Sequence, residues 1–114
     1  MTEERYTVEI TDSAFADLDE IREYLVSRGA NDAADALIDS ILERAGNLET
    51  FPLRGSAPRE LEGAARDDVR QIVLPPYRII YTVTDHRVTV QLVADGRRDM
   101  RTLLSNRLLS TGNR

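Results

Sequence analysis

The strongest constraint on the fold of this chain is a regular alternation of side chains between Val69 and Asp99. At its centre, every second position is aromatic or β-branched: Tyr77, Ile79, Tyr81 and Val83. The positions between them are mixed in character: Arg78, Ile80, Thr82 and Thr84. Since successive side chains of a strand point to opposite faces, this pattern predicts a strand with one apolar and one mixed face.

Further strands are predicted on both sides of this one. After a turn in which Asp85 tolerates a positive φ, the alternation resumes. Its predicted inward face is Val88, Val90, Leu92 and Ala94, and its predicted outward face is Thr89, Gln91, Val93 and Asp95. Pro75-Pro76 separates an earlier strand, Arg70–Leu74, because proline cannot donate to a ladder. We expect two or three consecutive antiparallel strands that end in the basic turn Gly96-Arg97-Arg98.

The N-terminal half has the period of helices. A short alternating strand, Tyr6–Ile10, precedes capping residues and a predicted helix from about Ser13 to Arg28. A second predicted helix runs from about Asp32 to Asn47, and the brief connection makes the two helices antiparallel neighbours. We place four acidic residues on the solvent face of the first helix: Asp17, Asp19, Glu20 and Glu23.

These elements predict an α+β fold in a single domain spanning residues 1–114. A small antiparallel sheet is covered on one face by the N-terminal helical hairpin, in the order β-α-α-β-β-β. The segment Leu53–Ala65 is expected to be mostly loop, with a short turn at Glu60–Leu61. Leucines at helical spacing after Asp99 are compatible with a C-terminal helix. Ile80 and Val93 would then be either core under that helix or part of a docking surface.

The charge distribution limits the classes of partner. The formal net charge is −5, with net −9 on residues 1–50 and net +4 on residues 51–114. Binding to nucleic acid depends on phosphate neutralisation, so we expect no direct sequence-specific nucleic-acid binding from an acidic protein. All 15 basic residues are arginine, which excludes a lysine general base or Schiff base.

The usual catalytic and metal-binding sets are not recognisable in the sequence. There is no cysteine, and His86, the only histidine, lies at a predicted hairpin tip. Ser13 and Ser56 have no histidine partner that could activate them. We therefore expect no catalytic residue, no metal and no cofactor. The first five residues have no apolar segment and the apolar runs are short, so we expect no signal peptide, no membrane partner and a cytoplasmic location.

Arginines near one end of the sheet are the remaining candidates for function. Tyr77 and Arg78 lead one strand, and Arg97 and Arg98 form the turn that ends another. The planar guanidinium suits recognition of carboxylate or phosphate. The alternative is an ordinary solvated surface with ion pairs to Asp95 and Asp99.

Several short motifs, taken in sequence order, resemble those of the ParE/RelE superfamily of bacterial type II toxins. They are Phe51-Pro52-x-x-Gly55, Glu60-Leu61, Gly63-x-x-Arg66, Tyr77-Arg78-Ile79-Ile80-Tyr81-x-Val83 and Gly96-Arg97-Arg98-Asp99. The resemblance extends from about Tyr6 to Leu104. The helical hairpin, the Phe-Pro loop and the Arg-Arg-Asp turn are most similar to the ParE branch.

Resemblance to ParE implies a toxin that poisons DNA gyrase and is held silent by a cognate ParD-like antitoxin. It also implies that an amphipathic antitoxin helix lies in a groove on the helical hairpin. We expect five apolar residues to contribute to that groove: Leu18, Ile21, Leu25, Leu37 and Ile41. We expect target recognition, by protein contact rather than catalysis, from Tyr77, Arg78, Arg97 and Arg98.

The RelE branch, whose members cut mRNA in the ribosome, provides the alternative function. Its basic residues stabilise the transition-state phosphate, and a tyrosine or histidine often transfers a proton. Arg98 matches the basic residue of its last turn. Ile72–Leu74, however, replaces an expected arginine, and Leu103-Leu104 replaces an expected aromatic residue. A ribosome-dependent endoribonuclease therefore ranks second.

Overall fold

The computed structural model describes residues 5–109. The elements are, in chain order, strand β1 (Thr7–Ile10), helices α1 (Asp12–Ser27) and α2 (Asn31–Gly46), strands β2 (Val69–Leu74), β3 (Tyr77–Thr84) and β4 (Arg87–Asp95), and helix α3 (Met100–Leu104). Helix α3 continues as a π-helical turn over Ser105–Leu109. The predicted α+β class, the element order and the C-terminal helix are confirmed. Among the described helices, none has the length and apolar character needed to cross a membrane.

The four strands form one sheet in the order β1-β4-β3-β2. Strand β3 pairs antiparallel with β2 on one side and with β4 on the other, as predicted. Strand β1 lies parallel to β4, from Thr7 beside Arg87 to Ile10 beside Val90, which makes the sheet mixed. A short alternation indicates a strand but carries no information on its direction, so the sequence could not reveal this parallel pair.

The helical hairpin of α1 and α2 covers one face of the sheet. Helix α1 begins where the Thr11 side chain accepts a hydrogen bond from the Ala14 N–H at 3.0 Å. It ends before Gly29, whose φ of +80° suits a residue without a Cβ atom. The resulting core joins helical and sheet residues: Ala14, Leu18, Ile41, Ala45, Leu48, Ile72, Ile79, Tyr81, Val88, Val90 and Val93.

The opposite face of the sheet is covered in part by α3. A second apolar cluster joins this helix to the strands: Val69, Ile80, Leu92, Ala94, Met100, Leu104 and Leu108. Ile80 has no exposed surface, so core under the terminal helix is the correct alternative for this residue. Val93 packs instead in the cluster under the helical hairpin.

A β-bulge explains why Val93 and Leu92 exchange faces. In the β3–β4 pair, Ile80 lies beside Leu92, whereas Tyr81 lies beside Val90, so Gln91 is the extra residue. Val88 and Val90 pack under the helical hairpin as predicted. The prediction is wrong for Leu92 and Ala94, which pack under α3, because one inserted residue inverts the facing of every later side chain.

Asp17, which the helical pattern places on the solvent face, is buried. Its carboxylate forms a bidentate ion pair with Arg107, with N···O distances of 2.5 and 2.8 Å. It also accepts the Val93 N–H at 3.0 Å, and Arg107 donates to the Gln91 carbonyl at 2.8 Å. The solvent-face prediction is therefore wrong for Asp17. Helical periodicity does not record which main-chain groups at a sheet edge need a partner.

Side chains of the sheet fix the loop that follows the helical region. The Tyr81 hydroxyl accepts from the Gly55 N–H at 3.0 Å and donates to the Pro52 carbonyl at 2.9 Å. Arg70 donates to the Gly55 carbonyl at 2.5 Å. A Cβ atom on Gly55 would lie 2.3 Å from the carbonyl oxygen of Gln71, so the close approach requires glycine. The predicted short turn is present at Arg59–Leu61.

Candidate functional site

A cavity of about 460 Å³ lies where α1 meets the ends of β3 and β4. We call it the tyrosine pocket and define it by Tyr24 of α1, Tyr77 of β3 and the turn residues Arg97 and Arg98. The remaining lining residues are apolar or acidic: Asp17, Glu20, Ile21, Pro76, Val93, Ala94 and Asp95. The volume falls within the roughly 300–1,000 Å³ that is common for binding sites.

The two tyrosines of the pocket differ in burial. Tyr24 is 55% exposed, whereas Tyr77 is partly buried. Burial raises the pKa of the Tyr77 hydroxyl, and the negative charge of Asp95 raises it further, so this hydroxyl stays protonated at neutral pH and can donate a hydrogen bond. A tyrosine with an apolar ring and a polar tip is a frequent anchor at protein interfaces.

Arg97 is paired with the last residue of β4. The Asp95 carboxylate accepts from the Arg97 side chain at 2.9 and 2.6 Å and from the Arg97 main-chain N–H at 2.9 Å. These hydrogen bonds lower the pKa of Asp95 to about 2. The ion pair with Asp95 considered from sequence is therefore present, and the Arg97 side chain remains 81% exposed.

Arg98 differs from its neighbour because its side chain has no ion pair with any residue in the range 5–109. Its main-chain N–H donates to the Asp95 carbonyl at 3.1 Å, which closes the turn, and the side chain is exposed. Asp99, the other acidic residue suggested as its partner, instead caps α3 by accepting from the Thr102 N–H and hydroxyl. Arg98 is thus the available cation of the tyrosine pocket.

Arg78 lies on the other face of the sheet, away from Tyr77. Its guanidinium donates two hydrogen bonds to Glu60, at 2.9 and 2.8 Å, and one to Gln71, at 2.7 Å. The pair is largely buried, and Arg78 lowers the pKa of Glu60 to about 2. The structure therefore brings together three of the four predicted recognition residues and separates Arg78 from them.

Gly96 permits the packing of Arg78 against the end of β4. A Cβ atom at this position would lie 2.8 Å from Cδ of Arg78. The glycine that opens the basic turn is therefore explained by the buried ion pair on the opposite face.

The five residues predicted for the antitoxin groove are unequally accessible. Leu18 and Ile41 are buried in the core, whereas the other three are only partly buried: Ile21, Leu25 and Leu37. The large exposed apolar side chains on the hairpin are different residues: Phe15, Tyr24, Val26 and Leu42. Tyr24 could have been found from sequence, because it follows Ile21 by three positions and so shares its helix face.

The predicted hairpin tip does contain His86. Asp85 and His86 have φ values of 50° and 63°, as a tight turn between β3 and β4 requires. The imidazole lies against the Tyr6 ring, with centroids 4.7 Å apart. Within the described part of the chain, no three histidine, cysteine or acidic side chains are grouped to hold a metal ion.

Comparison of the sequence with protein-family models gives a match over residues 8–100, to the ParE toxin of the type II toxin–antitoxin system parDE. No curated protein matches the sequence significantly.

Solved structures with a similar fold include toxins from three bacteria. The chromosomal ParDE system of P. aeruginosa gives a TM-score of 0.66 at 19% identity, covering 81% of this chain and 97% of that chain. The toxin–antitoxin complex RelBE2 of Mycobacterium tuberculosis gives 0.54 at 23% identity, with 82% and 94% covered. The E. coli toxin RelE, solved in the free state as a mutant with two arginines replaced by alanine, gives a TM-score of 0.56 at 17% identity, covering 93% of this chain and 97% of that chain. Similarity at these identities establishes a common fold.

Proposed function

The chain belongs to the ParE toxin family of type II toxin–antitoxin systems, and we propose that it acts on DNA gyrase as the toxin of such a pair. The observation that carries the proposal is the family match over residues 8–100, which includes the helical hairpin, the tyrosine pocket and the basic turn. The proposal includes a cytoplasmic location, because that is where bacterial gyrase works.

The proposed mode of action is protein contact rather than chemistry by this chain. A phosphate-binding arginine needs open donors, and three of the five N–H donors of Arg78 bond to Glu60 and Gln71 in a largely buried pair. The exposed Arg98 and the half-buried Tyr77 instead form one edge of a concave surface. We assign target recognition to Tyr77, Arg97 and Arg98, and a structural role to Arg78. The burial and pairing of Arg78 remove one cation that a ribonuclease could use on a phosphate, which supports the gyrase proposal over the ribonuclease alternative.

The proposed partner that silences the toxin is a ParD-like antitoxin. The structures similar in fold include a ParDE system and a RelBE2 toxin–antitoxin complex. The hairpin exposes large apolar side chains, among them Phe15 and Leu42, and the predicted Leu25 and Leu37 are partly accessible. An amphipathic helix laid on this surface would cover them. The proposal moves the centre of the antitoxin site away from Leu18 and Ile41, whose side chains are already in the core.

The test of the proposed function is a supercoiling reaction with purified gyrase, with and without the purified protein. We expect loss of supercoiling or accumulation of cleaved DNA, while a parallel translation reaction proceeds normally. Addition of the antitoxin encoded beside the gene should restore supercoiling. Blocked translation with shortened mRNA would replace the proposal by the ribonuclease alternative.

The recognition role is tested by charge reversal in the turn. The double variant Arg97→Glu, Arg98→Glu should no longer inhibit supercoiling, because the cations that face the target are replaced by anions. Arg44→Glu, an exposed arginine on α2, provides a control with the same type of charge change. Full inhibition by the double variant would exclude a recognition role for the turn.

A further inference from the structure

Among residues 5–109, the cover over the edge of β4 next to α1 is only partial. Strand β1 pairs with β4 from Arg87 to Val90 and then ends. Beyond that point, side chains take the place of a neighbouring strand: Arg107 donates to the Gln91 carbonyl, and Asp17 accepts the Val93 N–H. The edge continues to Asp95 beside the tyrosine pocket.

The alternation of an antiparallel ladder defines which main-chain groups face this edge. The Val93 N–H points away from β3, towards Asp17, and the Gly96 N–H points towards β3, where it donates to the Pro76 carbonyl. Residues paired across two antiparallel strands alternate between these orientations. The Val93 carbonyl and the Asp95 N–H therefore face the pocket edge. A single residue of an added strand can bond to both groups, as occurs when an extended peptide joins a sheet.

The pocket beside this edge combines apolar, aromatic and charged side chains. Ile21, Tyr24 and Tyr77 provide the apolar and aromatic lining. Arg98, without an ion pair among the described residues, belongs to the turn that its main-chain N–H closes on the Asp95 carbonyl, and the acidic Glu20 lies on α1. A nucleic acid would place phosphates beside Asp17, Glu20 and Asp95, which opposes its binding. An extended peptide with a large apolar residue and a single carboxylate is complementary to this surface, because its one charge can pair with Arg98, whereas a nucleic acid carries a phosphate at every nucleotide.

We propose that the β4 edge at Val93–Asp95 and the tyrosine pocket form a docking groove for an extended acidic–apolar segment of the target protein. The segment adds a short strand to β4, inserts an apolar side chain between Tyr24 and Tyr77, and places a carboxylate on Arg98. This inference rests on the proposed function. The exposed apolar residues assigned to the antitoxin, Phe15 and Leu42, lie outside the pocket lining. Of the five residues predicted for the antitoxin groove, Ile21 alone also lines the pocket, so the principal surfaces for the target and the antitoxin are otherwise separate.

The experiment measures the affinity of the full-length protein for purified gyrase by biolayer interferometry. Arg98→Glu and Tyr24→Ala change exposed side chains of the groove and should each weaken binding by about tenfold or more. Arg44→Glu and Phe51→Ala are exposed controls of matching type outside the pocket and should change affinity by less than about twofold. The affinity of each variant for the antitoxin should stay within about twofold of wild type.

Hydrogen–deuterium exchange provides the main-chain test. In the complex with gyrase, exchange of the Asp95 amide should slow, because the added strand accepts its hydrogen. If both groove variants bind gyrase with wild-type affinity, or if amide exchange over residues 93–95 does not change in the complex, the proposed groove is wrong and the proposed function stands. Loss of antitoxin binding alone would assign the groove to the antitoxin and equally overturn the inference. A wild-type protein that does not bind gyrase overturns the proposed function, and the inference with it.

Discussion

At the scale of single residues, two carboxylates with similarly lowered pKa values have different roles. Arg78 lowers the pKa of Glu60 to about 2, and Arg97 lowers that of Asp95 to about 2. The side chains of Glu60 and Arg78 are only 13% and 11% exposed, whereas Arg97 is largely in solvent. Because exposed ion pairs contribute little to folding, only the Glu60–Arg78 pair should be important for stability.

Replacing Glu60 with Gln should lower the free energy of unfolding by about 3 kcal/mol at neutral pH. The pKa of Glu60 falls from 4.5 to about 2 on folding, and each unit corresponds to roughly 1.4 kcal/mol. Since the folded-state pKa is the lower one, the stabilisation is present above about pH 4.5 and is lost as the pH falls towards 2. Urea denaturation of the wild type and the variant at several pH values tests this: their free energies of unfolding should differ at neutral pH and become equal as the pH falls towards 2.

The control for this prediction is Asp95→Asn. It removes a carboxylate whose pKa is lowered as far, from an ion pair whose arginine is exposed, so the unfolding midpoint should change little. A loss of stability equal to that of Glu60→Gln would show that burial does not distinguish the two pairs.

Residue-level function was only partly predictable from sequence. Strand alternation already places Tyr77 and Arg78 on opposite faces, yet their adjacency suggested one site. The difference between Arg97 and Arg98 could not be predicted, because both are arginines in the same turn and only the geometry shows which one Asp95 engages. The helix face that Tyr24 shares with Ile21 is visible in the sequence, but its place beside Tyr77 is not, because Tyr77 is far away in sequence.

At the scale of elements, side chains complete the hydrogen bonding that strands and loops leave open. Asp17 and Arg107 cover main-chain groups of β4 beyond the end of β1. Tyr81 and Arg70 hold the loop around Gly55 against the sheet. These contacts connect elements that are distant in sequence, so local patterns do not reveal them.

Asp17→Ala should destabilise the protein by about 3–5 kcal/mol, because it removes the carboxylate that pairs with the partly buried Arg107 and leaves the Val93 N–H without its acceptor. Thermal or urea unfolding measures the change. The exposed neighbour Asp19→Ala is the control and should stay within about 0.5 kcal/mol of wild type. The double variant Asp17→Ala, Arg107→Ala should lose less free energy of unfolding than the sum of the losses in the two single variants. Strict additivity would contradict the coupling.

Gly55→Ala should destabilise the loop by about 1–3 kcal/mol, because the new methyl group meets a main-chain oxygen 2.3 Å away. Gly46→Ala is the matched control, since that glycine ends α2 with φ of −62° and open space around it. This second change should stabilise by about 0.5–1 kcal/mol. Unfolding midpoints of the two variants should therefore move in opposite directions, and a shift in the same direction would refute the packing argument.

The type of each element could be predicted from periodicity, but the face of the sheet on which each side chain of β4 lies could not. Both helices and the strands β2 to β4 were predicted close to their observed bounds, because amphipathic and alternating patterns are local properties. The bulge at Gln91 was not predictable, since Leu92 and Val93 are both apolar and either could face the hairpin. The parallel direction of β1 depends on the whole chain path.

At the scale of the whole molecule, the sheet lies between two unequal apolar layers. The helical hairpin forms the larger one, and α3 contributes Met100, Leu104 and Leu108 to the smaller one. The sequence predicted the larger layer and left open whether the second face was core or a docking surface. Only the packing of the buried Ile80 against α3 resolves that question.

A chain that ends at Asp99 should lose the second layer and expose Ile80 and Leu92, both almost completely buried in the full chain. We expect it to aggregate or to unfold without cooperativity, because a large apolar patch would meet water. A chain that ends at Leu109 is the control. Size-exclusion chromatography and calorimetry measure the outcome, and a monomeric, cooperatively unfolding Asp99 chain would show that α3 is dispensable for the fold.

The bulge in β4 also limits how a chain of this kind can diverge. The extra residue at Gln91 divides the strand into two halves of opposite facing. Individual side chains in either half can be exchanged for others of similar size. A one-residue insertion or deletion would move the side chains of one half of β4 to the opposite face of the sheet. The length of the β3–β4 turn is not restricted in this way. Related sequences that share this core should therefore vary along β4 among residues of similar size, but hardly at all in the number of residues in the strand.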